Sequence, residues 1–414
     1  MKADAFIDAV GGIATREDFP EFIEQQAVEA YLDAVTYART FLSDYDRATD
    51  LTTRVELANS PFFTCRSKVV DDGRHILVVP LGLVCRLHVL GHLLLGYWGR
   101  DGISLEMHAA QNSLLPQKLT PLFGAATDAD DRWGGLRELH ALVHTPSATS
   151  DVQQLTYQAM MFIIGHEGAH VYRRHAATLR HLRDSGLLES PRDEEIFRRF
   201  AEIDADTMAT YWTLDAQWMA LKANQTHDDD AIKALGYMRV SYAVTMLFAL
   251  FDVHRNEIGS YESSVYVHPI IRRHLFTEAS AQLHESAAWR TDRHTWTRME
   301  LRGWRECVRA LGCLNLDILT GRFGEYPDLD RVGPASALQY KMTQGDVYQR
   351  YFDREVVLYT LMRSMHESVG RFKMAGAEGR VLSFPKFRNS MRIFMKEDPL
   401  LDAAVRLAQR VATS

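Results

Sequence analysis

The most restrictive feature of this 414-residue chain is the run Ile163-Ile164-Gly165-His166-Glu167-Gly168-Ala169-His170-Val171. Histidines four residues apart share a face on an α-helix, so His166 and His170 acting together require a helix here. Both imidazoles then reach one zinc ion, with Glu167 beside the metal as general base. The pattern arises by chance in roughly one chain in twenty of this length, so its setting carries the reading. Leu155, Ala159, Phe162 and Ile163 precede it at helical spacing. The pair therefore prolongs a buried apolar stripe, and buried imidazoles need the partners a metal supplies.

A zinc with three protein ligands and an open position must take its third ligand from another element. Ser190, Pro191 and Asp193 mark the start of a second helix, as cap, first helical position and first-turn acid. Within it Glu202 and Asp206 stand at i, i+4. Glu202 is the expected third ligand, and Asp206 is placed to accept a hydrogen bond from a ligand imidazole and fix its tautomer. Ala205 and Ala209 flank that face and let two helices approach closely. Against this stands an ordinary alternative, in which both acids form a solvated face opposite Ile196, Phe200, Ile203, Tyr211 and Leu214. The first helix is expected to begin with Asp151 as its cap and to stop near Gly186.

Two further histidine pairs have the same spacing, His88/His92 and His140/His144, without a Glu after the first His. They read as core or surface histidines, with a second metal site as the alternative. Cys65, Cys85, Cys307 and Cys313 are few and scattered, with no CxxC pair, which points to a reducing, cytoplasmic setting. The acid-containing start Met1-Lys2-Ala3-Asp4 does not resemble a secretion signal. Ile76 to Trp98 is apolar over a membrane-spanning length but is interrupted by Pro80, Arg86, His88 and His92, so a buried core helix is expected over a span.

The rest of the pattern predicts a predominantly helical α+β fold. Residues 1–50 read as an N-terminal helical segment. The stretches Leu51 to Leu57, Arg66 to Val70 and Arg74 to Val79 read as strands, the last two joined at Asp71-Asp72-Gly73, a hairpin signal. Gly99 to Pro146 is loop-rich, and its acids Asp128, Asp130 and Asp131 read as a solvated turn. Asp228-Asp229-Asp230 suits a helix N-terminus. Tyr211, Trp212, Trp218 and the run Met246 to Phe251 read as core. Residues 51–285 are expected to form the zinc-binding domain and 286–414 a helical, mildly basic region. That last region has 21 Lys plus Arg against 15 Asp plus Glu, on a chain of net charge −7.

Gly165-His166-Glu167-Gly168-Ala169-His170-Val171, then Glu202-Ile203-Asp204-Ala205-Asp206, then Val267-His268-Pro269 resemble the three ordered motifs of gluzincin zinc metallopeptidases. The phage-exclusion protease Lit and the HtpX-like peptidases have the nearest patterns. The motifs span roughly a quarter of the chain, from Gly165 to Arg273. The resemblance implies a metallopeptidase core with Zn2+ on His166, His170 and Glu202, Glu167 as base, Asp206 behind a ligand, and His268 as transition-state stabiliser. The family's Arg follows that His by six residues, whereas Arg272 and Arg273 follow His268 by four and five; either is a candidate for contact with substrate or transition state. The expected activity is zinc-dependent endopeptidase action on a specific protein or peptide substrate, and the Lit pattern suggests a host protein cut during phage infection. Arg74 to Val79 offers a strand edge for an extended substrate, and the basic residues Arg371 to Arg392 suggest a recognition surface. Two other readings are a non-catalytic, zinc-stabilised helical binding protein and a nucleic-acid-binding module. The acidic balance and the lack of a recognisable nucleic-acid motif speak against the latter.

Overall fold

In the computed structural model, residues 2–49, 51–70, 74–98, 119–123, 132–144, 146–226, 229–255, 267, 269–285, 293–313, 346–370 and 398–413 are described. The turn at 71–73, the acids at 128–131, His268 and the basic stretch 371–392 lie outside them. The described chain is mostly helical, with one three-stranded sheet.

Helices α1 (Ala3–Ala9) and α2 (Gln25–Thr49) lead into strands β1 (Thr53–Ala58), β2 (Arg66–Val69) and β3 (His75–Pro80). β3 is central, parallel to β1 and antiparallel to β2. Because side chains alternate across a strand, Ile76 and Val78 face a small cluster with Phe6 and Ile7 of α1 and with Val10 just after it, whereas Leu77 and Val79 join the main core. The expected Ile76–Trp98 helix is in fact two elements. Its first five residues are the last five of β3, and α3 (Leu81–Trp98) begins at the next residue. The strand read at Arg74 to Val79 is thus present and the helix reading overlapped it, because a continuous apolar run states burial but not period. Arg86 in α3 is buried and donates to the carbonyls of Pro61 and Gly82 at 2.8 and 2.9 Å.

After α4 (Thr120–Phe123) and α5 (Gly134–Val143) come α6 (Thr149–Tyr172), α7 (His175–Asp184) and α8 (Pro191–Ala223). Helix α6 is buried on nearly all sides, the signature of a central core helix, and α2, α3, α8 and α9 (Asp230–Arg255) pack around it. It starts two residues before Asp151, which lies in its first turn and pairs with Arg239. It also stops fourteen residues short of Gly186, because Arg174 adopts a left-handed conformation with φ 53°. Neither Gly nor Pro causes this break. Arg173 donates to Asp204 on α8 at 2.7 Å, and its carbonyl lies 2.8 Å from His366 Nε2; these tertiary contacts hold a backbone turn that costs about 1–2 kcal/mol locally. Helix α8 begins as its sequence signals, with Ser190 and Asp193 in a reciprocal capping box and Pro191 at the first position.

Helices α10 (Pro269–Glu285), α11 (Arg293–Cys313), α12 (Asp346–Gly370) and α13 (Pro399–Thr413) complete the described chain. Asp229 caps α9 through the amides of Ala231 and Ile232. The buried Arg199–Glu355 pair joins α8 to α12, and one core cluster takes residues from all three stretches 1–50, 51–285 and 286–414. Asp230–Phe251 is the one described segment long and apolar enough to cross a membrane, and 78% of that window is buried inside the fold.

Candidate metal centre

The crossing of α6 and α8 sets the site. A Cβ on Gly165 would lie 3.2 Å from the Ala209 backbone, and one on Gly168 would lie 3.0 Å from the Trp212 ring. The two glycines, with Ala205 and Ala209 opposite, let the backbones approach until side chains from both helices meet. Trp212 cannot easily yield, since its Nε1 donates to Tyr45 Oη at 2.8 Å.

At the crossing, His166 Nε2 and His170 Nε2 stand 3.2 Å apart, and Glu202 places its two carboxylate oxygens 3.5 and 3.6 Å from them. Donors of a tetrahedral zinc at 2.0–2.1 Å lie about 3.3–3.4 Å from one another. The two imidazole nitrogens therefore have about the spacing a zinc ion needs, and the Glu202 carboxylate sets one oxygen near each of them at a similar distance. Glu202 is 17% exposed and is not part of a solvated face, because α8 is buried on the side that carries the acids as well as on its apolar stripe.

Behind each imidazole lies a hydrogen-bonded chain. His166 Nδ1 is 2.9 Å from Asp206 Oδ1, and Arg272 holds both Asp206 oxygens at 2.6 and 2.7 Å. Asp206 thus occupies the orienting place read from its spacing. The second chain was not visible in the sequence. His170 Nδ1 is 2.9 Å from His175 Nδ1, His175 Nε2 is 3.0 Å from Asp204 Oδ2, and Arg173 forks Asp204. Had α6 continued, His175 would stand about 140° around the helix from His170; the left-handed Arg174 brings it back.

Both chains assign protons. With each Nδ1–H donated outward, both Nε2 atoms turn lone pairs toward one another at 3.2 Å, an arrangement that needs a positive charge between them. On the protein groups alone that charge is a proton on His166. Burial works against it, but the Asp206 and Glu202 carboxylates outweigh burial and push the His166 pKa up to about 10. Burial lowers His170 and takes His175 to about 3, so both are neutral at pH 7. Burial would raise Glu202, but its contacts with His166 and His170 hold it well below the usual carboxylate range.

The triangle opens into a cleft of about 650 Å³. His166, Glu167, His170, Glu202 and Arg272 line it, together with Thr64, Cys65 and Ser67 and with Phe63 and Phe251. Glu167 is half-buried and lines the same cleft as His166, His170 and Glu202. Phe251, expected in the core, is a wall of the cleft. Arg273 is committed elsewhere, to a buried pair with Glu300 and to Ser241 and Thr245. Of the two arginines, Arg272 is the one at the site.

The substrate edge differs from expectation. β3 is paired on both sides, whereas β2 is exposed along its length and among the described residues pairs only with β3. β2 contributes Ser67 to the cleft wall. Compared with models of known protein families, with curated proteins and with solved structures, the chain matches none.

Proposed function

We propose that this protein is a zinc-dependent endopeptidase that hydrolyses a peptide bond in a specific protein target. The observation that carries the reading is the His166–His170–Glu202 triangle, with separations of 3.2, 3.5 and 3.6 Å, open to a cleft lined by Glu167. His166, His170 and Glu202 would hold the zinc, which when bound supplies a Lewis acid and brings a water pKa from about 16 toward 7. Three protein donors facing a cleft suit a catalytic zinc, whereas a purely structural one is closed by four. That contrast favours the enzyme over a zinc-stabilised binding protein.

The chain's own residues have distinct tasks. Asp206 and His175 accept hydrogen bonds from the Nδ1–H groups of His166 and His170 and so leave both Nε2 lone pairs for the metal. Glu167 takes a proton from the attacking water and delivers it to the leaving amine. Phe63 and Phe251 give the cleft apolar walls that limit bulk water. An extended substrate can add to the open edge of β2, where main-chain hydrogen bonds hold any sequence and side-chain pockets select.

The test is terminal-amine mass spectrometry on a peptide library treated with zinc-loaded protein, its Glu167→Gln variant, and chelated protein. We expect cleavage at a narrow set of sites by the wild type and none by the other two. Identical products from Glu167→Gln, or failure of the wild type to take up zinc, would overturn the proposal.

A further inference from the structure

The two histidine pairs that lack a glutamate do not lie apart. His88 and His92 stand one turn apart on α3, His140 is on α5, and Glu24 precedes the first residue of α2. One donor atom from each of these four residues falls within 4.8 Å of all the others. The ring centroids of His88 and His92 are 4.9 Å apart, those of His92 and His140 5.1 Å, and those of His88 and His140 5.5 Å. His88 and His92 are fully buried, and His140 is 6% exposed.

Buried imidazoles at this density are expected to satisfy one another or the backbone. Here they do not. Glu24 Oε2, His88 Nε2 and His140 Nε2 are buried without a hydrogen bond. The approach of His88 Nε2 to Glu24 Oε2 is 3.4 Å, long for a hydrogen bond and equal to the spacing of two donors on one tetrahedral zinc, about 3.3–3.4 Å.

The surroundings orient the donors. The buried Tyr31 hydroxyl lies 2.8 Å from His88 Nδ1; as acceptor of the Nδ1 proton it leaves the Nε2 lone pair pointing inward. Glu24 Oε1 is engaged by His144 Nε2 at 2.8 Å and by Thr149 Oγ1 at 3.4 Å, which leaves Oε2 for the cluster. None of these residues lines the cleft of the first site.

We propose that Glu24, His88, His92 and His140 form a second, structural zinc site. Three imidazoles and one carboxylate make a four-donor set suited to a structural zinc, and none of the three histidines is followed by a glutamate in sequence. It ties the start of α2 to α3 and α5, elements distant in sequence.

The experiment must read this site apart from the first. The full chain carrying His170→Gln and Glu202→Gln, which removes two of the three donors at the cleft, is chelated, reconstituted with zinc, desalted and assayed by elemental mass spectrometry. We expect one zinc per chain. Adding Glu24→Gln, an isosteric change on a half-buried residue, should weaken zinc at least 100-fold without unfolding the chain by circular dichroism. X-ray absorption of the one-zinc protein should show three imidazoles and one carboxylate at about 2.0–2.1 Å. No zinc in the cleft-disabled protein, retention after Glu24→Gln, or fewer than three imidazoles would overturn the proposal. Loss of zinc from the cleft alone would leave these three readings unchanged, so failure of the peptidase proposal is distinguishable.

Discussion

Zinc entering the cleft at pH 7 is expected to expel close to one proton from the protein. His166 is the source, because Asp206 and Glu202 push its pKa up to about 10 in the chelated protein. Even at about 9, some 99% of the rings carry the proton at pH 7. Zinc takes only the neutral ring. His170 and His175 are lowered and already neutral, and Glu202 is already ionised, so no other ligand adds to the count; the water that zinc would hold, its pKa brought toward 7, adds about half a proton at most. Zinc affinity should therefore rise about tenfold for each pH unit from 7 to 9. The same shift gives a stability signature. A raised pKa contributes stability that is complete below about 6.5 and is lost as pH climbs through about 10. The chelated protein should weaken across that window, and the zinc-loaded one should not lose this increment. The assay is isothermal titration of zinc into chelated Glu24→Gln protein, which confines the reading to the cleft, in buffers of different ionisation enthalpy. A plot of observed against buffer enthalpy should have a slope between about one and one and a half protons, falling by about one in Asp206→Asn, which lacks the anion that holds the charge. A slope near zero in the parent at pH 7 would refute the reasoning.

Asp206 also has a separate structural task. Removing one partner of its buried pair with Arg272, where the side chains are 3% and 5% exposed, should cost about 3–5 kcal/mol in urea unfolding. The double change Asp206→Leu with Arg272→Met should recover most of that stability while zinc affinity stays low; recovery of both would show that Asp206 does not orient His166. His175→Ala should weaken zinc by about 10–100-fold through the loss of the His170 Nδ1 acceptor, measured by chelator competition, and an unchanged affinity would dismiss the Asp204–His175 chain. Gly168→Ala gains about 1 kcal/mol of helix propensity but sets a methyl 3.0 Å from Trp212 and 3.5 Å from Leu42. Overpacking of about 1–3 kcal/mol should win, so thermal denaturation should show a lower midpoint.

What could be read from the sequence follows the reach of helical periodicity. His166 with His170, and Glu202 with Asp206, are i, i+4 pairs, and such pairs share a face wherever their helices go. The start of α8 is equally local, since Ser190 and Asp193 satisfy each other's backbone amides within four residues. The small sheet showed itself through alternation and a turn signal, but its order did not, because which strand lies at the centre is decided by packing against α1 and α6. His175 marks the limit most clearly. Five residues past His170, it comes back to the site only through a left-handed Arg174 held by Arg173 and Asp204, and no local rule places a break at an Arg-Arg step. The cluster of Glu24, His88, His92 and His140 marks the same limit over a longer range. Each pair alone is indistinguishable from ordinary core histidines, and the convergence exists only because α3 and α5 pack together beside the start of α2. Both proposed metal centres thus rest on one arrangement. A short helical spacing presents two nitrogens, and a tertiary contact brings up the carboxylate and the proton acceptors that turn a pair of histidines into a candidate site.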